Sequence, residues 1–285
     1  MTDHASRIVV ITGASDGIGR HTALRFASEG ARLLLAARDA EALGAVAAEC
    51  LDRGARAALS QPTDIADRGQ VGRMFDRVRS ELGSPDVVVQ NASVAVIGRL
   101  TDIPLDIIDT VIRTDVLGAV YVAREAVRQF QAGGSGALIV VGSLFGHVPV
   151  PLLGPYVISK FAVTALIRVL RQELRDQPGI TVTGIYPGAV DTGIYRHAAN
   201  YLGRVPRVPP LAEQPEKIAA AIVDAAHRRR SGERQIGVMN VPLLVGYRLL
   251  PRVLYRLAEP AGKLIGFTAR RTPPRRGNTR ADGHG

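Results

Sequence analysis

Short apolar segments alternate with longer amphipathic segments along most of the chain. The apolar segments are rich in Val and Ile and lie at residues 7 to 12, 31 to 37, 86 to 90, 137 to 142, 180 to 186 and 234 to 239. The segments with helical periodicity lie at residues 18 to 29, 39 to 53, 67 to 82, 105 to 130, 156 to 176 and 215 to 229. This alternation predicts βαβ units. Strands that are apolar on both faces favour a parallel sheet covered by helices, so we predict an α/β fold with a single doubly wound parallel sheet, the Rossmann fold.

The chain changes in character after residue 239. We therefore predict a Rossmann-type domain at residues 1 to 239, an amphipathic helical extension at 240 to 267 and a basic tail at 268 to 285. In the extension, charged residues recur three or four positions apart, and Pro251 predicts a break. Charges interrupt its apolar runs well short of the roughly 18 residues of a spanning helix. The tail is rich in Arg, Pro and Gly, and we predict that it is disordered.

The formal net charge of +10 points to an anionic partner or a phosphorylated cofactor. About half of this excess lies in the tail. Aromatic residues do not interleave with the basic ones, and the chain has no nucleic-acid-binding motif, so we expect no nucleic-acid partner. The extension either packs on the domain or an oligomer interface, or attaches peripherally to a membrane, and the sequence leaves both open.

Cysteine usage and the N-terminus indicate where the protein works. Cys50 is the single cysteine, which excludes an internal disulfide framework and supplies too few thiolates for a zinc or iron–sulfur site. The N-terminus has no basic region ahead of its apolar run, so we expect no secretory signal. We therefore expect metal-free chemistry in the cytoplasm, with attachment at the inner membrane face as the alternative.

A glycine-rich turn follows the first predicted strand and opens the first predicted helix. Glycine in such a turn lets the backbone approach a pyrophosphate, and the helix N-terminus offers free N–H groups and a partial positive charge. An ordinary tight turn is the alternative that this motif alone leaves open. The candidate cofactor-binding residues in it are Gly13, Ser15, Asp16, Gly17, Ile18 and Gly19.

The end of the second predicted strand bears on the choice between NADP and NAD. An acidic side chain there would bond the ribose 2′-hydroxyl, whereas an arginine would accept a 2′-phosphate. Ala37 occupies the expected acidic position, and Arg38 follows it. A guanidinium binds phosphate through paired hydrogen bonds, so we predict NADP(H). Asp39, which we predict to be the N-cap of the next helix, keeps NAD open.

Tyr156 and Lys160 are spaced to share one face of a helix that starts after Gly154-Pro155. A tyrosine is a poor base at neutral pH, and a nearby lysine cation lowers its pKa by favouring the phenolate. The pair would then act as a general acid and base. Ser143 follows the strand at 137 to 142, and its hydroxyl is placed to hydrogen-bond a substrate oxygen.

Taken together, these motifs resemble the short-chain dehydrogenase/reductase family. The resemblance runs from about residue 7 to about 240, and the order and spacing of its parts make it specific. It rests on residues 12 to 19, Asp64, Asn91-Ala92-Ser93, Ser143, Tyr156 with Lys160, and Tyr186-Pro187-Gly188 followed by Thr192.

The resemblance implies hydride transfer between NADP(H) and a carbonyl or alcohol. Tyr156 would exchange a proton with the substrate oxygen, Ser143 would orient it, and Lys160 would bind the nicotinamide ribose. Asp64 and Ile65 would meet the adenine, and Asn91 would steady the central strand. A homodimer or homotetramer is usual in this family. The remaining implied cofactor contacts are Ala92, Pro187, Gly188, Val190 and Thr192.

Two residues depart from the family pattern. Ser93 stands where the motif usually ends in glycine, and Asp115 stands where the family usually has an asparagine that helps hold a proton-relay water. We count Asp115 among the catalytic candidates, because an ionised carboxylate would stabilise the Lys160 cation. It also keeps open a second reading, a regulatory protein that binds NADP(H) without turnover.

The expected substrate pocket is largely apolar, which favours a small hydrophobic alcohol or ketone. It comprises the loop at residues 144 to 153 and the segment with Ile194, Tyr195, Tyr201 and Leu202. We interpret His147 as a loop residue rather than a second catalytic acid.

Overall fold

The computed structural model describes residues 6–279. Its centre is a seven-stranded parallel sheet in which β3, β2, β1, β4, β6, β7 and β10 are neighbours in that order. The six predicted apolar segments form six of its strands, whereas the strand at Ala57–Pro62 was not among the predicted segments. The strands of the sheet are β1 (Ile8–Thr12), β2 (Arg32–Ala37), β3 (Ala57–Pro62), β4 (Val87–Gln90), β6 (Gly136–Val141), β7 (Ile180–Pro187) and β10 (Gly232–Ile236).

Helices cover both faces of the sheet, as expected for strands with no polar face. One layer consists of α1 (Gly17–Ala27), α2 (Ala40–Asp52) and α8 (Pro215–Arg228), whose side chains pack with Val9, Ile11 and Leu33. The other consists of α3 (Arg68–Glu81), α5 (Ala119–Gly133) and α6 (Gly154–Glu173), which pack with Val10 and Val88. The predicted doubly wound α/β fold is therefore confirmed.

The strand order reverses direction between β1 and β4, which are neighbours in the sheet. In an open parallel sheet, the loops at the carboxyl ends of such strands diverge and leave a crevice that binds ligands. The glycine-rich turn follows β1, and Asn91 follows β4. The topology thus places both motifs at the same crevice.

Two predicted elements differ from the structure. The helix predicted at 105 to 130 is divided into α4 (Leu105–Ile112), a π-helical turn (Arg113–Gly118) and α5. The last strand of the sheet ends at Ile236 rather than residue 239, because Gly237 has a φ of +146°, which side-chain-bearing residues rarely adopt.

Short elements build the rim around the crevice. A two-residue strand β5 (Val96–Ile97) pairs with β8 (Ala199–Asn200), and α7 (Ile194–His197) precedes β8. The extension forms α9 (Asn240–Leu249) and α10 (Pro251–Gly266), so the predicted break at Pro251 is confirmed. No helix among residues 6–279 is long and apolar enough to cross a membrane.

The tail is not disordered up to Thr279, which corrects the prediction for residues 268 to 285. Strand β11 (Phe267–Arg271) pairs antiparallel with β9 (Arg204–Pro206), and Arg276 forms an ion pair with Asp106. Thr279 is buried, and Gly277 fits a site where a Cβ would lie 2.2 Å from the His197 carbonyl oxygen. Composition alone missed these backbone contacts. Residues 280 to 285 lie outside the described part of the chain.

Candidate active site

The glycine-rich turn has no room for side chains where it approaches β4. Gly13 has a φ of +65°, and a Cβ there would lie 2.7 Å from the Ala92 Cα. A Cβ on Gly19 would lie 2.0 Å from the Gly13 carbonyl oxygen. Asp16 caps α1 by accepting a hydrogen bond from the Gly17 N–H at 2.6 Å. The turn therefore presents bare backbone and a helix N-terminus to the crevice.

Asn91 ties the end of β4 to this turn. Its side-chain amide donates to the carbonyl oxygens of Thr12 at 3.2 Å and Gly13 at 3.1 Å. Its backbone N–H donates to the Thr12 hydroxyl at 3.0 Å. These contacts fit the expected role of Asn91 in steadying the central strands and fix the shape of the crevice floor.

Arg38 lies at the rim of the crevice, where β2 ends. Its Nη2 donates to the carbonyl oxygen of Asn278 at 2.6 Å, so the ordered part of the tail reaches this guanidinium. Asp39 caps α2 by accepting from the Ala42 N–H at 2.9 Å, as predicted. Both charged groups in this corner therefore already have a hydrogen-bond partner within the chain.

The candidate catalytic side chains meet where β6 and α6 adjoin the crevice. Ser143 follows β6 and is buried, with its Oγ accepting from the Phe145 N–H at 3.1 Å. Tyr156 and Lys160 lie one turn apart in α6, and the Lys160 Nζ is 5.3 Å from the centre of the Tyr156 ring. Lys160 is only 4% exposed, so its amino group acts in a largely dehydrated environment.

Burial controls the titration of Tyr156. Burial and the charge of Asp115 raise its pKa, and hydrogen bonding with Ser143 offsets part of that rise. We expected Lys160 to lower this pKa, but the net direction is upward because burial and Asp115 dominate. Burial likewise lowers the pKa of Lys160, and the charge of Asp115 counteracts this. Tyr156 is therefore held as a phenol, the form that donates a proton.

Asp115 is a buried carboxyl group behind the catalytic side chains rather than a solvated helix residue. It is 1% exposed and lies in the π-helical turn, which directs it toward the end of β4 and toward α6. Burial raises its pKa, while the charge of Lys160 and three hydrogen bonds favour the carboxylate. The donors are the Ser93 hydroxyl at 2.7 Å, the Val94 N–H at 2.8 Å and the Ser159 hydroxyl at 3.1 Å.

The two departures from the family pattern are therefore in direct contact. The Ser93 hydroxyl, present where glycine is usual, donates to the Asp115 carboxylate, present where asparagine is usual. A hydroxyl donor suits a carboxylate, which accepts hydrogen bonds but does not donate them. Ser93 therefore supplies one of the hydrogen bonds that favour the Asp115 carboxylate. The sequence analysis did not predict this contact.

One cavity of about 940 Å³ joins the cofactor candidates to the catalytic candidates. Most of the predicted site residues line it, and two lie behind it: Gly19 packs under the turn and Asp115 contacts Ser93 and Ser159. The predicted residues that line the cavity are Gly13, Ser15, Asp16, Gly17, Ile18, Arg38, Asp64, Ile65, Asn91, Ala92, Ser143, Tyr156, Lys160, Pro187, Gly188, Val190 and Thr192.

The wall of the cavity differs in part from the predicted pocket. Ile194 and Tyr195 line it as expected, whereas Tyr201 packs in a separate apolar cluster. His147 contacts the Tyr186 ring at 4.4 Å between ring centres, which fits a structural loop residue. The sequence analysis missed Asn278 and the inner faces of α9 and α10. The helical wall residues include Leu243, Tyr247, Leu254, Ala258 and Ile265.

Comparisons with known proteins agree with this geometry. The profile of the family described as short chain dehydrogenase matches residues 7–201. The oxidoreductase YxnA of Bacillus subtilis is 35% identical over 257 residues, which cover 89% of this chain and 71% of YxnA. EphD of Mycobacterium tuberculosis, also named as an oxidoreductase, is 33% identical over 88% of this chain, but the match spans only 44% of EphD.

A solved structure shows the same fold with a nucleotide. The alcohol dehydrogenase from the archaeon Thermococcus sibiricus, complexed with 5-hydroxy-NADP, superposes with a TM-score of 0.71 and 26% identity. The superposition covers 82% of this chain and 97% of that enzyme.

Proposed function

The chain belongs to the short-chain dehydrogenase/reductase family of oxidoreductases, and on that premise we propose that it reduces an apolar ketone or aldehyde with NADPH. The observation that carries the proposal is the single cavity, in which a glycine turn, Arg38 and the Ser143, Tyr156 and Lys160 side chains share one space. Any side chain at Gly13 would collide with Ala92, so the turn presents bare backbone to the cavity. A nicotinamide dinucleotide would fit there, because its pyrophosphate can approach bare backbone closely.

In the proposed reaction, a bound NADPH would supply the hydride that the carbonyl carbon takes up. Ser143 holds the carbonyl oxygen through its hydroxyl, and Tyr156 donates its phenolic proton to the same oxygen. The proton passes from the Tyr156 Oη to the nascent alkoxide, which gives the alcohol and leaves a phenolate. The nearby Lys160 ammonium stabilises that phenolate electrostatically. Since burial raises the pKa of Tyr156, its side chain is held as a phenol, the form that this step requires.

The preference for an apolar substrate rests on the wall that α9 and α10 contribute to the cavity. Polar groups converge at the catalytic end of the cavity, whereas α9 and α10 contribute aliphatic and aromatic side chains. Such a pocket gains affinity from burial of apolar surface and orients the ligand through a few polar groups. The carbonyl would lie at Ser143 and Tyr156, with the apolar part of the substrate against Leu254 and Ala258.

NADP(H) preference is tested by Arg38→Ala. Losing a charge-assisted phosphate contact is expected to weaken NADPH binding on the order of tenfold to a hundredfold, while NADH binding changes little. Isothermal calorimetry with both nucleotides measures this. Arg79→Ala is the matched control, because Arg79 is exposed and pairs with Asp76 on α3. A parent protein that binds NADH as tightly as NADPH would remove the proposed 2′-phosphate site.

Asp115→Asn is expected to shift the pH profile of the reverse reaction, alcohol oxidation, to lower pH. The charge of Asp115 raises the pKa of Tyr156, so its removal lowers that pKa, and oxidation needs the phenolate. The rising limb of kcat/KM against pH would therefore appear earlier in the variant. Identical profiles for parent and variant would mean that Asp115 has no electrostatic influence on catalysis.

A second candidate function is an NADP(H)-binding protein without turnover. The buried Asp115 carboxylate favours it, since this charge opposes formation of the Tyr156 phenolate. The complete set of Ser143, Tyr156 and Lys160 in one cavity favours the enzyme. Tight NADPH binding with no hydride transfer to any of a broad set of ketones and aldehydes would favour the binding protein.

A further inference from the structure

Helices α9 and α10 each turn one side toward the cavity and another toward solvent. Their inner sides include the cavity-lining residues Leu243 and Leu254. Their outer sides expose large apolar side chains, and Leu249 and Leu264 are each 73% exposed. We call this surface the outer apolar face; it consists of Val241, Val245, Leu249, Val253, Leu257 and Leu264, of which Leu257 also lies at the edge of the cavity.

Basic residues flank the outer apolar face in a regular pattern. Four members of the face are each preceded in the chain by a cation: Arg248, Arg252, Arg256 and Lys263 come directly before Leu249, Val253, Leu257 and Leu264. Successive residues of an α-helix lie about 100° apart around its axis. The cations therefore form a row along one border of the apolar face.

The local charge around this face is strongly positive. Residues 240 to 279 include eight Lys and Arg residues and a single acidic residue, Glu259. Glu259 is already bound by Arg99 and Lys263, each at 2.6 Å. Arg248, Arg252 and Arg256 form no ion pair with any other residue in the described range of 6–279.

We propose that α9 and α10 dock on the surface of a lipid bilayer that contains anionic lipids. Exposed apolar side chains at a helix surface insert at the boundary of headgroups and acyl chains, and flanking arginines then meet lipid phosphates. Each such cation adds to the attraction toward an anionic surface. The helices would lie in the plane of the bilayer, since neither is long enough to span it.

The charge of the face argues against a second copy of this chain as its occupant. A symmetric dimer built on α9 and α10 would bring two strongly basic surfaces together, with one acidic residue on each to balance them. Like charges across an interface oppose association. An anionic lipid surface complements the same charges.

Docking through this face also has a consequence for substrate access, and that consequence rests on the proposed function. Because α9 and α10 form one wall of the cavity, docking them on a bilayer would place that wall beside the lipid. An apolar substrate dissolved in the bilayer could then reach Tyr156 past these helices without crossing water. The docking itself does not depend on catalysis.

The test is flotation of the full chain with vesicles of phosphatidylcholine alone or mixed in equal parts with phosphatidylglycerol. The chain is expected to float with the anionic vesicles and to dissociate at high salt.

Two sets of variants separate charge from apolar insertion. Arg252→Glu/Arg256→Glu is expected to weaken binding on the order of tenfold or more. Leu249→Ser/Val253→Ser/Leu264→Ser is expected to abolish it, since these exposed residues supply the inserted area. Arg25→Glu/Arg73→Glu, on the exposed surfaces of α1 and α3, matches the charge change and is expected to bind like the parent.

NADPH binding by each protein, measured without vesicles, shows that the variants are folded and tests the proposed function separately. A parent chain that stays in the soluble fraction with anionic vesicles at low salt would overturn the proposal. So would equal binding by the control and the Arg252→Glu/Arg256→Glu variant. A dimer interface is the alternative outcome. In that case the parent would not bind vesicles and would sediment as a dimer, the triple serine variant would sediment as a monomer, and the proposal would fail.

Discussion

Replacing Tyr156 with phenylalanine is expected to reduce kcat for carbonyl reduction on the order of a thousandfold, the scale of a lost general acid. The ring remains, so the cavity keeps its shape and NADPH binding changes little. The missing hydroxyl removes the group proposed to transfer a proton to the substrate oxygen. Steady-state kinetics with calorimetric cofactor binding separates the two effects.

Tyr195→Phe is the matched control for that variant. Tyr195 lines the same cavity, and Tyr195→Phe removes the same hydroxyl group from a different wall residue. Burial raises the pKa of both tyrosines, so a difference in burial does not separate them. We expect kcat to stay within severalfold of the parent value in Tyr195→Phe. A Tyr156→Phe variant with near-parent kcat would show that another group protonates the substrate.

Gly19→Ala is expected to have the second largest effect, on both stability and cofactor binding. The added methyl group would lie 2.0 Å from the Gly13 carbonyl oxygen and 2.8 Å from the Asn91 side-chain nitrogen. Both neighbours are fixed, one as backbone and the other by two hydrogen bonds, so the turn must open. Forcing extra volume into such a site costs about 1–3 kcal/mol. NADPH affinity should fall on the order of a hundredfold, because the opened turn no longer fits a pyrophosphate.

Gly44→Ala is the matched control, since it makes the same chemical change in a helix. A Cβ on Gly44 in α2 meets nothing within 4 Å, and the residue is exposed. Alanine should stabilise this helix by about 0.5–1 kcal/mol and leave cofactor binding unchanged. Thermal unfolding with an NADPH titration compares the two. Parent-like affinity in Gly19→Ala would mean that the turn does not cradle the cofactor.

The elements with the strongest local signals were predictable from the sequence. The strands β1, β2, β4, β6 and β7 are largely apolar runs, whereas the edge strands β3 and β10 are mixed in composition. The glycine turn, Asn91, Ser143 and the Tyr156–Lys160 pair follow their elements at fixed spacings. Parallel-sheet topology then brings the carboxyl ends of the strands together, so position along the chain determines position in the crevice. For this reason most of the predicted site residues line one cavity.

The remaining features depend on contacts that no local pattern encodes. The sequence showed that α10 has an apolar side. It did not show that part of this side forms a wall of the cavity. The order of the tail up to Thr279 depends on strand pairing and on the fit of Gly277 against His197. The direction of the Tyr156 pKa depends on burial, and Asp115 contributes because a π-helical turn directs it inward.

Transfer of deuterium from NADPH labelled at C4 of the nicotinamide tests the central claim most directly. The protein is mixed in a single turnover with labelled cofactor and each of a set of apolar cyclic, aromatic and open-chain ketones and aldehydes. The products are analysed by mass spectrometry. The account predicts deuterium on the carbinol carbon of at least one product with the parent protein, and its appearance on the order of a thousandfold more slowly with Tyr156→Phe. Tight binding of the labelled cofactor with no deuterium in any product would contradict the assignment of this cavity as a reductase active site.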